Sequence, residues 1–426
     1  MASKLPCCLV AAKYQEVEVD GHRELHCGTC GKLCIELHGT TATLSPHWVA
    51  MMEALDGWGT ASNQAPDLPV NLVVLAAEHG KADAQFNLGQ RYAQGQGVPQ
   101  DYVQARQWWE KAAAQGVAEA QFSLGWLYAK GQGVPQDYAK KREWYEQAAA
   151  QGYAPAQYNL GWLYAEGQGV PQDYEKSRKW YGQAAAQGLA NAQYNLGKLH
   201  EKGLGVPQDY AQARQWFEKS AAQGDARAQY DLGCLYANGQ SVPKDYAQAR
   251  PWFEKAAAQG EANAQAALGE LYDSGLGVPQ DYAKAREWYE QAAAKGDANA
   301  QAALGELYAE GQGVPQDYVQ AREWWEQAAA QDKANAQARL GTLYANGQGV
   351  PKDYAQARQW FKQAAAQGEA NAQAALGTLY DSGLGVPQDY AKAREWYEQA
   401  AIQGHADAQF NLGWLYANVP GESQDY

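Results

Sequence analysis

The 426-residue chain has no run of about 18 consecutive apolar residues, which excludes a helix that crosses a bilayer. It also has no basic stripe. Lys and Arg number 34 against 48 Asp and Glu, a formal charge of −14, so nucleic-acid phosphates are repelled on average and a nucleic-acid partner is not expected. Cysteine is scarce beyond the N-terminus: five of six lie in the first 34 residues and only Cys234 falls later, so no disulfide framework runs through the body of the chain. Gly-x-Gly segments recur, but none is followed by Lys-Ser/Thr or preceded by a strand pattern, so they do not read as phosphate loops. The apolar stretch Leu5-Pro-Cys-Cys-Leu-Val-Ala-Ala12 is short for a secretory signal and is broken by Pro6. The expected compartment is the cytoplasm, with an exported or translocated effector as the alternative.

What the chain has is a period. The octapeptide Gly95-Gln-Gly-Val-Pro-Gln-Asp-Tyr102 returns with small changes, its Asp recurring as Asp101, Asp137, Asp173 and onward to Asp425 in steps of 36 residues. A fixed period of this length marks a solenoid, whose units each bury their apolar face only by stacking on neighbours. The octapeptide reads as a turn between helices. Gly supplies the left-handed residue that ends one helix, Pro99 forbids its continuation, and Asp101 caps the next, with Gln104, Gln212 and Gln248 at the capping-box spacing in their copies.

Each unit is therefore helix A, turn, helix B. Helix A carries Ala-x-Ala-Gln-x-x-Leu-Gly-x-Leu-Tyr, as in 154–164, and Leu160, Leu163 and Tyr164 share a face. Helix B carries Ala-x-x-Trp-aromatic-x-x-Ala-Ala, as Ala213, Trp216, Phe217, Ala221 and Ala222 show. The Trp at 108, 144, 180 and every 36 residues on to 396 is expected in the core, because stacking of like neighbours demands one residue at one position. Pro251 departs from the helix B pattern and costs roughly 3 kcal/mol in a helix interior, unless that helix starts late.

These three segments in register, from 82 to 418, resemble the Sel1-like repeat, a relative of the tetratricopeptide repeat. The resemblance implies an all-α, right-handed solenoid that acts as a non-catalytic adaptor for protein–protein contacts. Such proteins occur in bacterial signalling, envelope and host-interaction roles and in eukaryotic membrane-protein quality control. A cysteine-rich bacterial branch locks each helix pair with a disulfide. This chain lacks those paired cysteines, and the setting of that branch does not carry over.

Four regions follow. Residues 1–44 form a Cys- and His-containing leader, 45–81 a divergent capping repeat, 82–405 nine full repeats, and 406–426 an incomplete tenth. The leader holds Cys27, Cys30, Cys34 and His38 at spacings of three, four and four. Its Cys-Gly-Thr-Cys portion is similar to the knuckle of zinc ribbons, with a short strand expected on either side. The two readings are a small structural zinc site and reduced thiols in a loosely ordered leader, since a ribbon needs a second Cys-x-x-Cys that the chain lacks. No cofactor is expected for the solenoid itself. The tenth repeat stops where helix B should begin, leaving the Leu412, Leu415 and Tyr416 face to pack on the ninth repeat, fray, or self-associate.

The variable positions of helix A carry what distinguishes this chain. In this type of solenoid helix A lines the concave side, and the second, fifth, sixth and ninth residues of each unit fall opposite the Leu-Leu-Tyr face. Those positions supply Phe122 and Trp126, then Tyr158, Asn159 and Trp162, then Tyr194 and Asn195, then Tyr230, after which Ala266, Ala302, Ala338 and Ala374 replace the aromatics. Rings interleaved with amides suit a protein or peptide partner, the rings anchoring side chains and Asn159 and Asn195 clamping the main chain. The alternative is that the fifth-position rings fill gaps between adjacent A helices. Two other functions compete: a zinc-dependent enzyme or nucleic-acid module in the leader with the solenoid as its targeting arm, and a self-assembling structural rod.

Overall fold

The computed structural model describes residues 70–418 and the backbone of four strands nearer the N-terminus. The strands β1 (Tyr14–Val19), β2 (His22–Cys27), β3 (Leu33–His38) and β4 (Thr41–Leu44) form one antiparallel sheet in chain order. Tyr14 pairs with Cys27 across β1 and β2, and Ile35 with Leu44 across β3 and β4. Strands therefore do flank the Cys-Gly-Thr-Cys segment, and two more lie outside them. The alternation in Glu16-Val-Glu-Val19 is the period-two signal for the first of these.

The repeat region is all α. Among the described residues there are twenty helices, beginning with Val70–Glu78 and continuing as A and B pairs. In repeat two these are Ala118–Lys130 and Tyr138–Ala150, and in repeat three Ala154–Glu166 and Tyr174–Ala186. Two segments, 1–208 and 209–426, each contain a run of such pairs.

The turn is built as its residues require. Helix A of repeat two ends on Gly131, whose φ of 68° is the left-handed region where a Cβ is strained. Helix B then starts at a capped aspartate: the Asp137 carboxylate accepts from the backbone N–H groups of Ala139 (2.9 Å) and Lys140 (3.0 Å). The capping box is only half made. The Asp245 backbone N–H already donates to the Tyr236 carbonyl (2.9 Å), so the Gln248 amide turns to the Asp245 carboxylate instead (3.2 Å).

Two features stack the helices. The first is a ring of helix B resting on the helix A glycine of its own repeat: Tyr145 on Gly125, Tyr181 on Gly161, Phe361 on Gly341. A Cβ at any of these glycines would lie 2.5 Å from a ring carbon, closer than packed atoms approach. The ring in that buried position is the residue after the invariant Trp. The Trp itself is half-buried, and Trp144 and Trp180 pack over the seam between helix B of one repeat and helix A of the next. The expectation of a core Trp is thereby corrected: the fully buried register is 145, 181 and 217, whose Tyr145, Tyr181 and Phe217 are at most 2% exposed.

The second is a glutamine ladder. Gln157 is buried, its amide donates to the Ala149 carbonyl at the end of the preceding helix (3.2 Å), and its oxygen accepts from Gln187 of its own repeat's B helix end (2.8 Å). Gln121 does the same with Ala113 and Gln151, and Gln337 with Ala329 and Gln367. A buried amide satisfied on both sides fixes register at no net desolvation cost. At the far end, Leu415 is buried against the cluster that holds Tyr397.

Pro251 lies inside a helix that starts no later than its equivalents, Tyr246–Ala258. It is exposed, so the carbonyl that loses its donor can turn to water. Replacing it by the glutamine used at Gln107 and Gln215 restores that bond, and Pro251→Gln is expected to stabilise the chain by about 1–3 kcal/mol in urea unfolding; an unchanged midpoint would mean the helix had already absorbed the cost.

Candidate functional site

The outward positions of helix A divide into two groups. At the fifth position the rings sit on the buried ring of their own repeat: Phe122 stacks on Tyr145 at 5.1 Å and 18°, and Tyr158 tilts on Tyr181 at 5.7 Å. Tyr230 lies 5.8 Å from Phe253 in the same manner, and Phe122 also meets Tyr153 edge-on at 5.5 Å. These are packing contacts as much as surface. Where alanine takes the position, as at Ala302, Ala338 and Ala374, it is buried.

At the ninth position Trp126 and Trp162 stand free of that ring pair, and a cavity of about 380 Å³ opens between them. Helix A of repeat two contributes Trp126, Ala129 and Lys130, and helix A of repeat three contributes Asn159 and Trp162. Tyr138, Lys141 and Tyr145 from helix B of repeat two form the remaining wall, with Gln136 and Gln168 from the turns. Burial pushes the Tyr145 phenol well above the ordinary tyrosine range, so it stays neutral there.

Both predicted amide clamps are partly engaged. The Asn159 amide donates to the Pro155 carbonyl of its own helix (2.8 Å), leaving its oxygen and one N–H for the cavity. Asn195 faces the Tyr181 phenol. Tyr194 is half-buried one repeat further on, and Tyr230 lines a separate cavity of about 270 Å³ with Asn263, Glu270, Tyr289 and Asp297.

Lys141 is the residue that sequence reading missed. At its register seven repeats carry a fully buried Ala, among them Ala105, Ala213 and Ala249, and repeat three carries Ser177. Lys141 is 6% exposed. Its ammonium donates to the Gln168 side-chain oxygen (3.2 Å) and lies 5.2 Å from the Trp162 ring centre and 5.5 Å from that of Tyr138. Burial, and then the charge of Lys130, hold its pKa below the ordinary lysine value. The signal was present in the register, since Lys140-Lys-Arg142 reads as another solvated basic run until it is aligned on its neighbours. The arginines next to this register are half-buried and paired along the helix: Arg106 with Glu110 at 2.9 Å and Arg214 with Glu218 at 3.2 Å, both at the helical spacing of four.

The leader set lies elsewhere. Cys27 ends β2, and Cys34 and His38 lie on β3, while Cys30 and the side chains of all four fall outside the described residues. Residues 45–69 and 419–426, which carry most of the capping repeat and the last turn, fall outside them too. Among the described residues no cluster of His, Cys, Asp and Glu could hold a metal ion, and no helix is long and apolar enough to cross a membrane.

The lowered pKa of Lys141 has a measurable sign. Below its folded value the lysine is charged in both states and carries the full burial penalty. Between that value and 10.5 the unfolded chain binds the extra proton, so stability rises with pH. Lys141→Ala is therefore expected to stabilise the chain at pH 7, and its advantage over the wild type to shrink as pH rises toward 10.5 in chemical unfolding; an advantage that does not vary with pH would contradict a desolvated ammonium.

The chain matches the Sel1 repeat model ten times in succession, from 82–117 through 370–405 and 406–426. A search of the curated proteins finds no match. Among solved structures, a protective antigen of uropathogenic Escherichia coli displaying an SLR fold, c5321, is 39% identical over 89% of this chain and 81% of its own, with a TM-score of 0.78. A Sel1 repeat protein from Oxalobacter formigenes is 35% identical over 72% of this chain and 89% of its own, with a TM-score of 0.58. Nine repeats of one length and a shorter tenth, the glycine-seated ring in eight of the full pairs, and these likenesses agree: the chain belongs to the Sel1 repeat family.

Proposed function

We propose that the protein is a non-catalytic scaffold that holds a peptide segment of a partner protein along the outward face of helices A in repeats two to four. Solenoids of this family serve as protein-interaction scaffolds, and the proposal locates the contact. The observation that carries it is the cavity between Trp126 and Trp162, two large rings on neighbouring helices that stand apart from the Phe122–Tyr145 and Tyr158–Tyr181 pairs, Trp126 lying 6.3 Å from Tyr102. Phe122, Tyr158 and Tyr194, each half-buried, add apolar surface on the same helices and the next, and Asn159 offers its remaining amide groups to a main chain. Tyr230 belongs to the other segment of the chain and is not needed for this contact.

A tryptophan at the centre of such a contact is worth about 2 kcal/mol or more on truncation, some thirty-fold in affinity. The Trp126→Ala/Trp162→Ala double variant is therefore expected to lose the proteins that the intact chain retains from a lysate of its source organism, while its helical circular dichroism is unchanged. Recovery of the same proteins in the same amounts by both would overturn the groove.

A further inference from the structure

The groove contains a buried cation that no described residue pairs with an opposite charge. Burying an ammonium is expensive unless an anion or a full set of acceptors replaces water. Lys141 has three N–H donors. Among the described residues its one hydrogen-bond acceptor is the neutral amide oxygen of Gln168, and it makes no ion pair. The charge that acts on its titration is a second cation, Lys130, which lines the same cavity. The surrounding chain is acidic overall, with a formal charge of −14, and the neighbouring helix B arginine, Arg142, has its own partner in Glu146. A lysine at a register that otherwise takes Ala or Ser, walled by Trp126, Trp162 and Tyr138, is thus a local positive site open to a cavity of about 380 Å³.

We propose that this cavity receives the side-chain carboxylate of an aspartate or glutamate in the partner's peptide, bonded to the Lys141 ammonium between Trp126 and Trp162. The proposal rests on the groove reading above and names the chemistry of its occupant. A carboxylate accepts the N–H donors that Gln168 leaves over, and the low-dielectric aromatic walls strengthen the charge-assisted bond. The acid sits within a chain passing through and not at its end, because rings continue beyond the cavity: Phe122 lies one turn before Trp126 on the same helix, and Tyr194 one repeat beyond Trp162. A peptide that reaches them continues past Lys141.

The test uses the full chain and a display library of random peptide segments held at both ends, panned on the wild type, on Trp126→Ala/Trp162→Ala and on Lys141→Ala. The last carries the residue that seven repeats already bury at that register, so it keeps the fold. A peptide selected by the wild type is then made with blocked termini, once with its acid and once with the matching amide. The expected result is one fixed Asp or Glu among the selected peptides and a loss of about ten-fold or more in affinity when it becomes the amide. The same loss appears in Lys141→Ala, with no further loss when both changes are combined. Peptides that need Trp126 and Trp162 but hold no fixed acid, or that tolerate the amide, would overturn the carboxylate assignment and leave the groove standing. Binding that requires a free C-terminus or a phosphoryl group would overturn it as well. Failure to select any peptide that depends on the two tryptophans would overturn the groove reading, and this proposal with it.

Discussion

An aromatic ring of helix B seated on the backbone of helix A is the contact from which the rest of the stacking follows. It needs a glycine, because the ring occupies the volume a Cβ would take, as Tyr181 does at Gly161. The glycine brings the two helices of a repeat together closely enough for the next pair to close over them. The invariant Trp then seals the seam between repeats, and the glutamine ladder fixes their register with bonds that leave little buried polarity unpaired. A helix interior tolerates glycine only at a cost of about 1 kcal/mol relative to alanine. Its return in helix A of repeat after repeat, as at Gly125, Gly161 and Gly341, is offset by the ring it admits.

That uniformity makes departures informative. When one contact set recurs from repeat to repeat, a position that breaks the set is free to serve something else. Lys141 is such a break, with its charge among buried rings where alanine would pack without penalty. Trp126 and Trp162 are another: in the other full repeats the ninth position carries Gln, Lys, Cys, Glu or Thr, and Trp returns there only as Trp414 of the incomplete tenth. The two departures meet in one cavity, where each tryptophan packs one side on a core cluster.

The fold was legible in the sequence because the period, the Gly-Pro-Asp turn and the Leu-Gly-x-Leu-Tyr face are all local signals repeated nine times. The turn formed with its capping Asp137 and left-handed Gly131 as the residues dictate. The site was only half legible. Reading outward faces from helical spacing found Trp126, Trp162 and Asn159. It could not separate Phe122 and Tyr158, which rest on buried rings of helix B, because that contact depends on how closely the two helices approach. Lys141 was hidden by composition: among Lys, Arg and Glu on helix B its charge looks like its neighbours', and only burial distinguishes it. The invariant Trp was misplaced by one position for a related reason, as two adjacent rings compete for one glycine and the spacing does not say which wins.

The account stands on the ring and glycine contact, and a double-mutant cycle at Gly161 and Tyr181 tests it most directly. The quantity to measure is the opening free energy of repeat three by native-state hydrogen exchange, which does not assume that the whole chain unfolds in one step. In the wild-type background Gly161→Ala is predicted to destabilise by about 1–3 kcal/mol, because the new Cβ forces the Tyr181 ring to move. With Tyr181→Ala already in place the same change is predicted to reverse sign and stabilise by up to about 1 kcal/mol, the ordinary gain of alanine over glycine in a helix. Equal effects of Gly161→Ala in both backgrounds would show that the ring does not depend on the glycine, and would contradict the account at its base.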